Sequence, residues 1–422
     1  MTNEAVLAMH AEEAPFLWAS RDHAVQAAHY TLDALVRLDD RVQAHLEGLQ
    51  VDAGAGARHA RRALATLDAG TVFMVGALAF QGDEPDRVRD AFAAASGLPD
   101  GRRPLASALA WQDDAASRRW RDRLLTSSSP QARRVAMDAS RLCRSTTVAE
   151  VLDALADRDA HVRAAGARAA GECRLEGAIG ALRALLRDAD DLCRFRAAWS
   201  LTLLHDADGL AALIPFCEHP AVAWGAIELS LRVLSLERGR ELARRLAGAP
   251  FARALVIGAT GVIGDPQALP WLLGQMNDPA VARVAGEAFS GITGVDLDRD
   301  DLSKDAPDID DAQAADDAQA SDAVDDDIAA MPPRHQDSLP WPDVDKLKAW
   351  WDQHRDEFHP GQRHLCGQPV SAAQARRVLK QGRQRDRAAA ALELSLLEPS
   401  TVLFDVRARG RLQRKRMAPW SS

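Results

Sequence analysis

Residues 251–276 read FARALVIGATGVIGDPQALPWLLGQM, with Gly258, Gly261 and Gly264 three residues apart after a short apolar run. That spacing is one a phosphate-binding turn uses, and it decides between two folds. A dinucleotide turn needs a strand before it, a helix after it and an acidic residue about 20 residues on, at the end of a second strand. Backbone N–H groups at the helix start must also face the pyrophosphate. Here Asp265 sets a negative charge beside that anion, and Pro266 removes an N–H from the early part of the helix. Downstream, NDPAVARVAGEAF carries helix periodicity where the second strand should be. An NAD(P) oxidoreductase is therefore disfavoured, and no cofactor is expected.

The neighbours of the stretch supply the other reading. QARRVAMDASRLC from Gln131, HVRAAGARAAGEC from His161, LCRFRAAWSLTLL from Leu192, AVAWGAIELSLRVL from Ala221 and AVARVAGEAFSGITG from Ala280 repeat its pattern. Ala132, Val162, Cys193, Val222, Ala252 and Ala282 recur at a period of about 30 residues, a spacing found in helical solenoids. Arg253, Gly261, Ala268, Leu269 and Leu272 align with Arg163, Gly171, Ala178, Ile179 and Leu182 of an earlier copy. The glycines then mark a close helix contact and a turn between helices. Turn signals (DRD, DADD, EHP, NDP) precede several copies, and Asp, Asn and Pro suit helix starts. Val281, Val284, Ala285, Ala288, Phe289 and Ile292 fall on one helix face. The pattern resembles HEAT repeats, and Asp159 with Val162 and Arg163 matches the short variety best.

The expected fold class is all-α: a HEAT-like α-solenoid with an N-terminal helical cap and a small, mostly helical C-terminal module. The cap spans residues 1–56 and the solenoid 57–295. Residues 296–338 read as an acidic, disordered linker, because DLDRDDLSKDAPDIDDAQAADDAQASDAVDDD has few large apolar residues. Residues 339–422 form the C-terminal module, with RHLCGQPV a short strand and turn, TVLFDV a returning strand, and a basic tail from Arg407 to Arg416.

The chain has 422 residues and a formal charge of −9, which argues against a general nucleic-acid binder. Cys143, Cys173, Cys193, Cys217 and Cys366 contain no CxxC pair, so buried free thiols in a reducing compartment are expected rather than zinc. The opening MTNEAVLAMHAEEAPFLW lacks the basic and apolar regions of a secretory signal. No run approaches about 20 apolar residues, so no membrane span is expected and the predicted location is cytoplasmic. His354, His359 and His364 are too far apart along a helix for a metal site, and none is expected. Asp22, His23, Tyr30, Asp39 and His45 can be grouped only as residue types; charge on helix faces explains them better.

Trp and Arg dominate interface energetics, so the candidate partner-binding residues are Trp350, Trp351, Arg363, Arg383, Arg385 and Arg387. The basic cluster and tail would meet either phosphates or the acidic linker. A HEAT-like DNA glycosylase, cradling a duplex on a basic face, is the nucleic-acid alternative; Asp and Glu interleaved with the arginines weigh against it.

Both ends of the chain also resemble a bacterial family of HEAT-repeat proteins found in type VI secretion gene clusters. The residues concerned are FLWASRDHAVQAAHYTLDALVRLDDRVQAHLEGL (16–49), LPWPDVDKLKAWWDQHRDEFHPGQRHLCGQPVS (339–371) and GRQRDRAAAALELSLLEP (382–399). The resemblance implies a non-enzymatic adaptor whose partner is another protein, a secretion effector or spike component; it supplies no active residues. An immunity-like protein that silences a toxin is the second protein-binding reading.

Overall fold

The computed structural model describes residues 4–248, 253–307 and 338–421. It divides into two compact units, one of residues up to 26, 30–209 and from 400 onward, the other of 27–29 and 210–399. The described residues form an all-α solenoid, with twenty-two α-helices and only four two-residue strands.

In the first unit, α1 (Glu4–Ala24), α2 (Leu32–Gln50), α3 (Ala53–Ala63) and α4 (Ala69–Gln81) begin the stack. They lead into α5 (Pro85–Ser96), α6 (Arg102–Ala110) and α7 (Asp114–Leu125). The more regular repeats are α8 (Pro130–Cys143), α9 (Val148–Leu155), α10 (Ala160–Glu172), α11 (Ile179–Leu185) and α12 (Asp191–Leu203). Alanine and leucine dominate these segments, losing little side-chain entropy in a helix. Thr31, Asp52, Asp68, Asp113, Ser129, Thr147, Asp159 and Asp190 cap helix starts through their side chains, each contributing about 1 kcal/mol. The core centres on Trp18 stacked on Phe73 at 4.6 Å, with Phe80 and Leu105 fully buried.

Three devices define the repeat. First, an arginine near the start of the leading helix joins two turns. Arg133 pairs with both oxygens of Asp157 at 2.6 and 2.8 Å, and Arg163 with both of Asp188 at 2.8 and 2.9 Å. Each guanidinium also donates to two carbonyls of the preceding turn, Ser127 and Ser128 or Asp157 and Arg158. Second, a left-handed residue ends the helix: Arg144, Arg174 and His205 have φ of 55°, 56° and 57°. Their N–H groups and those of the next residues close onto the last turn, satisfying carbonyls the helix leaves open. Third, small residues allow close approach. A Cβ on Gly171 would stand 2.7 Å from Ser200 Cα.

The short α13 (Gly209–Leu213) is followed by the second unit's α14 (Ala223–Val233), α15 (Leu236–Ala247), α16 (Arg253–Ile263), α17 (Leu269–Gln275) and α18 (Ala282–Thr293). The same devices reappear. Arg253 pairs with Asp278, Gly264 and Gly294 have φ of 70° and 76°, and a Cβ on Gly261 would meet Ala288 Cα at 3.1 Å. The glycine run of the opening is thus helix α16 and its left-handed close.

After α18 the chain stays folded further than its composition suggests. Leu297 and Leu302 are buried, and β1 (Ser303–Lys304) pairs antiparallel with β2 (Trp341–Pro342). The expected linker therefore loses its first residues to the fold, because two leucines among the aspartates have apolar partners in this core. Residues 308–337, the bulk of that expected linker, lie outside the described residues. Then follow α19 (Val344–His354), the hairpin of β3 (His364–Leu365) and β4 (Gln368–Pro369), α20 (Ala372–Gln381) and α21 (Gln384–Leu397).

Two further expectations are corrected. TVLFDV forms no strand; the Leu403 carbonyl accepts from Arg144 and the Val406 carbonyl from Gln413, so side chains stand in for a sheet neighbour. Residues from 400 onward, including α22 (Gly410–Met417), belong to the first unit rather than to a single module with 339–399.

Candidate functional site

The turn after α16 is filled by the chain itself. His364 N donates to the Gly264 carbonyl at 2.7 Å, and a Cβ on Gly264 would lie 2.5 Å from the His364 carbonyl oxygen. Asp265 is buried and accepts from the N–H groups of Gln267 and Gly361, both at 3.1 Å, and from Arg240. Burial pushes its carboxyl up, but these donors bring it below the usual carboxylate range. An anion there would meet a carboxylate and a backbone strand where a dinucleotide site presents open N–H groups.

The segment that fills the turn also caps the neighbouring helices. Arg363 donates to the Arg232 carbonyl at 3.0 Å and the Ile263 carbonyl at 3.4 Å, and pairs with Glu393. Cys366 N and Gly367 N donate to the carbonyls of Gly291 and Ile292 at 2.7 and 2.9 Å. The open C-terminal carbonyls of α14, α16 and α18 are thereby met by one stretch of chain, with a cation placed where the helix dipole favours it. Gly367, with φ of 86°, permits the approach: a Cβ there would lie 2.7 Å from the Thr293 carbonyl oxygen.

The other candidate arginines have similar occupations. Arg383 faces Asp296 at 3.4 Å and Asp386 at 3.6 Å, while Arg385 pairs with Glu287. Arg387 is fully enclosed, donates from Nε to the Leu379 carbonyl at 2.7 Å and meets Gln384. Burial pulls its pKa down to about 10. Arg363, Arg383 and Arg385 thus fasten the segment after α19 to the last repeats, and Arg387 sits inside that segment.

Trp350 and Trp351 are half-buried on α19. Trp350 stacks on His354 at 4.3 Å and meets Phe289 of α18 edge-on at 5.9 Å; Trp351 tilts over Phe358 at 5.7 Å. Both rings close the apolar cluster of Ile257, Leu272, Phe289 and Leu347, so α19 belongs to the core of the last repeats rather than to a core of its own. Trp271, which the periodic reading passes over, is 42% exposed on α17, and α17 packs against α19. The signal was present: Leu269, Leu272 and Leu273 take the buried face, leaving Trp271 off it.

Among the described residues, the basic tail meets carbonyls and carboxylates of the first unit; the bulk of the expected linker partner lies outside the described residues. Arg409 donates to the Trp111 carbonyl and Arg416 to the Cys143 carbonyl, at 3.2 and 3.0 Å. Arg411 pairs with Asp40 and Arg414 with Asp33. Asp39, expected as a surface charge, is 2% exposed; it pairs with Arg21 at 2.9 Å and accepts from Gly410 N at 2.6 Å. Asp22 pairs with Arg103. This group anchors the tail.

Burial raises all five thiols, Cys193 to about 12 and Cys217 to about 11. Protonated thiols are poor nucleophiles and metal ligands. Among the described residues no group of three His, Cys, Asp or Glu is placed to hold a metal ion, and no helix is long and apolar enough to cross a membrane.

Residues 117–202, where the arginine ladder and the left-handed closes recur most regularly, match a family described as HEAT repeats. The chain carries HEAT repeats. The devices of the HEAT repeats continue beyond the matched stretch at Arg253, Gly261 and Gly264. No curated protein and no solved structure matches the chain.

Proposed function

We propose that the chain is a non-enzymatic adaptor of a type VI secretion system, holding an effector or spike component in the cytoplasm before export. HEAT repeats make a protein-binding helical scaffold, because stacked helix pairs expose long side-chain surfaces while their cores take up the apolar faces. The observation that favours a protein partner over a nucleic acid is how its cations are used. Many arginines that look available in the sequence are engaged by helix carbonyls or carboxylates of the same chain, among them Arg363, Arg409, Arg411 and Arg414. That leaves less basic surface for a duplex than the composition suggests. The secretion assignment rests on the likeness of residues 16–49, 339–371 and 382–399 to proteins of those gene clusters. Of the candidate partner-binding residues, the half-buried Trp351 suits an anchoring role and the enclosed Arg387 does not; the exposed Trp271 on α17 is a further anchor.

Affinity purification of the full chain from a host carrying such a cluster, followed by mass spectrometry, tests the proposal. Recovery of an effector or spike protein in stoichiometric amount is expected. A small substrate turned over by the purified chain, with no cluster protein retained, would overturn it.

A further inference from the structure

We infer that the outer face of α1 docks an amphipathic helix of a partner protein, one with basic residues flanking its apolar stripe. This rests on the reading of the chain as a protein-binding scaffold and names the kind of surface a partner must offer.

Helix α1 buries Leu7, Ala11, Ala14, Leu17 and Trp18 and packs against α2, α3 and α4. Its opposite face presents Ala5, Met9, Glu12, Phe16, Ala19 and His23, all exposed. Their successive spacings are four, three, four, three and four, the alternation that a second helix needs to seat knobs into holes. Phe16 is 67% exposed, Met9 45% and the adjoining Val6 42%. Ala5 and Ala19 flank these larger side chains and leave room for a close backbone approach. Phe16 stands at the centre of that face.

Charge selects the occupant. Along α1, Glu12 and Glu13 lie ahead of the helix's first arginine, Arg21, while Glu4 sits beside Arg58 and Arg62 of α3. Glu4 bonds His59, and His10 faces His45, which leaves Glu12 exposed in the seam itself. A second copy paired antiparallel about the middle of Ala5–Ala19 would set Glu12 against Glu12, an uncompensated pair of carboxylates at the centre of the contact. The aspartate-rich stretch of the same chain has the same sign of charge. A helix with Lys or Arg beside its apolar stripe satisfies both the shape and the charge.

The test uses the full chain and two labelled 21-residue amphipathic peptides, each with leucines at heptad spacing, one flanked by lysines and one by glutamates. Fluorescence anisotropy at physiological salt is expected to show saturable binding of the lysine peptide only. Phe16→Asp and Glu12→Lys should each weaken it at least tenfold, with unchanged circular dichroism and melting, while Leu152→Asp, on the exposed side of α9, should leave it unchanged. Absence of binding by the wild-type chain, equal binding of the glutamate peptide, or indifference to Phe16→Asp would overturn the inference. A concentration-dependent dimer abolished by Phe16→Asp would instead assign the face to a second copy. A host partner retained equally by the wild type and Phe16→Asp sinks this face and leaves the scaffold standing; failure of both to retain a cluster protein counts against the scaffold.

Discussion

Gly171 and Gly180 stand in the two helices of one repeat and obey different constraints. A methyl group on Gly171 would press on Ser200 backbone at 2.7 Å, whereas one on Gly180 would meet nothing within 4 Å. Gly171→Ala should therefore destabilise the chain by about 1–3 kcal/mol through overpacking, and Gly180→Ala should stabilise it by up to ~1 kcal/mol through helix propensity; urea unfolding of both variants checks the contrast. The same logic separates the glycines of the opening stretch. Gly261 makes room for Ala288, and Gly264 supplies a left-handed close that Arg144, Arg174 and His205 supply elsewhere at the expense of backbone strain. Asp39→Ala should cost about 3 kcal/mol or more, since it leaves Arg21, 4% exposed, without its buried counter-charge. Differential scanning calorimetry would read this as loss of stability in the transition of the first unit.

At the level of elements, the arginine ladder predicts the acid limit of stability. Bidentate pairing with Arg133 and Arg163 holds Asp157 and Asp188 below the usual carboxylate range. Their folded values lie under the unfolded value of about 3.9, so the stabilisation is present above that pH and lost as pH falls through the folded values. The urea midpoint should drop below about pH 4, and Arg133→Ala with Arg163→Ala should flatten that drop while lowering the midpoint at pH 7. These elements were legible in the sequence because each repeat brings its own Asp turn, Arg, small residue and helix close within about 30 residues. The docking of the tail on α1 and α2 was not. Arg411 and Asp40 are joined by an ion pair of 2.7 Å, but nothing in the spacing of two distant charges records that they meet. The pairing of β1 with β2 was hidden for the same reason, two residues on each side being too few for alternation to show.

For the molecule as a whole, the chain's suggestive chemistry serves structure, and the proposed function lies on exposed surface. The thiols fit that division: at pH 8 iodoacetamide should label Cys193 and Cys217 only as fast as the chain unfolds, and mass spectrometry with and without urea would show it. Of the expected site residues, Trp350 and Trp351 were legible as an aromatic pair on one helix, but their ring partners Phe289 and Phe358 lie outside that helix and emerge only in the fold. The most direct test returns to Gly258, Gly261 and Gly264. Thermal unfolding of the full chain should be followed across a titration of NAD(H) and NADP(H) into the millimolar range. No saturable rise in Tm is expected, and Gly264→Ala should lower Tm with or without nucleotide. A saturable rise in the wild type, lost in a still-folded Gly261→Asp variant, would contradict the assignment of these glycines to helix packing.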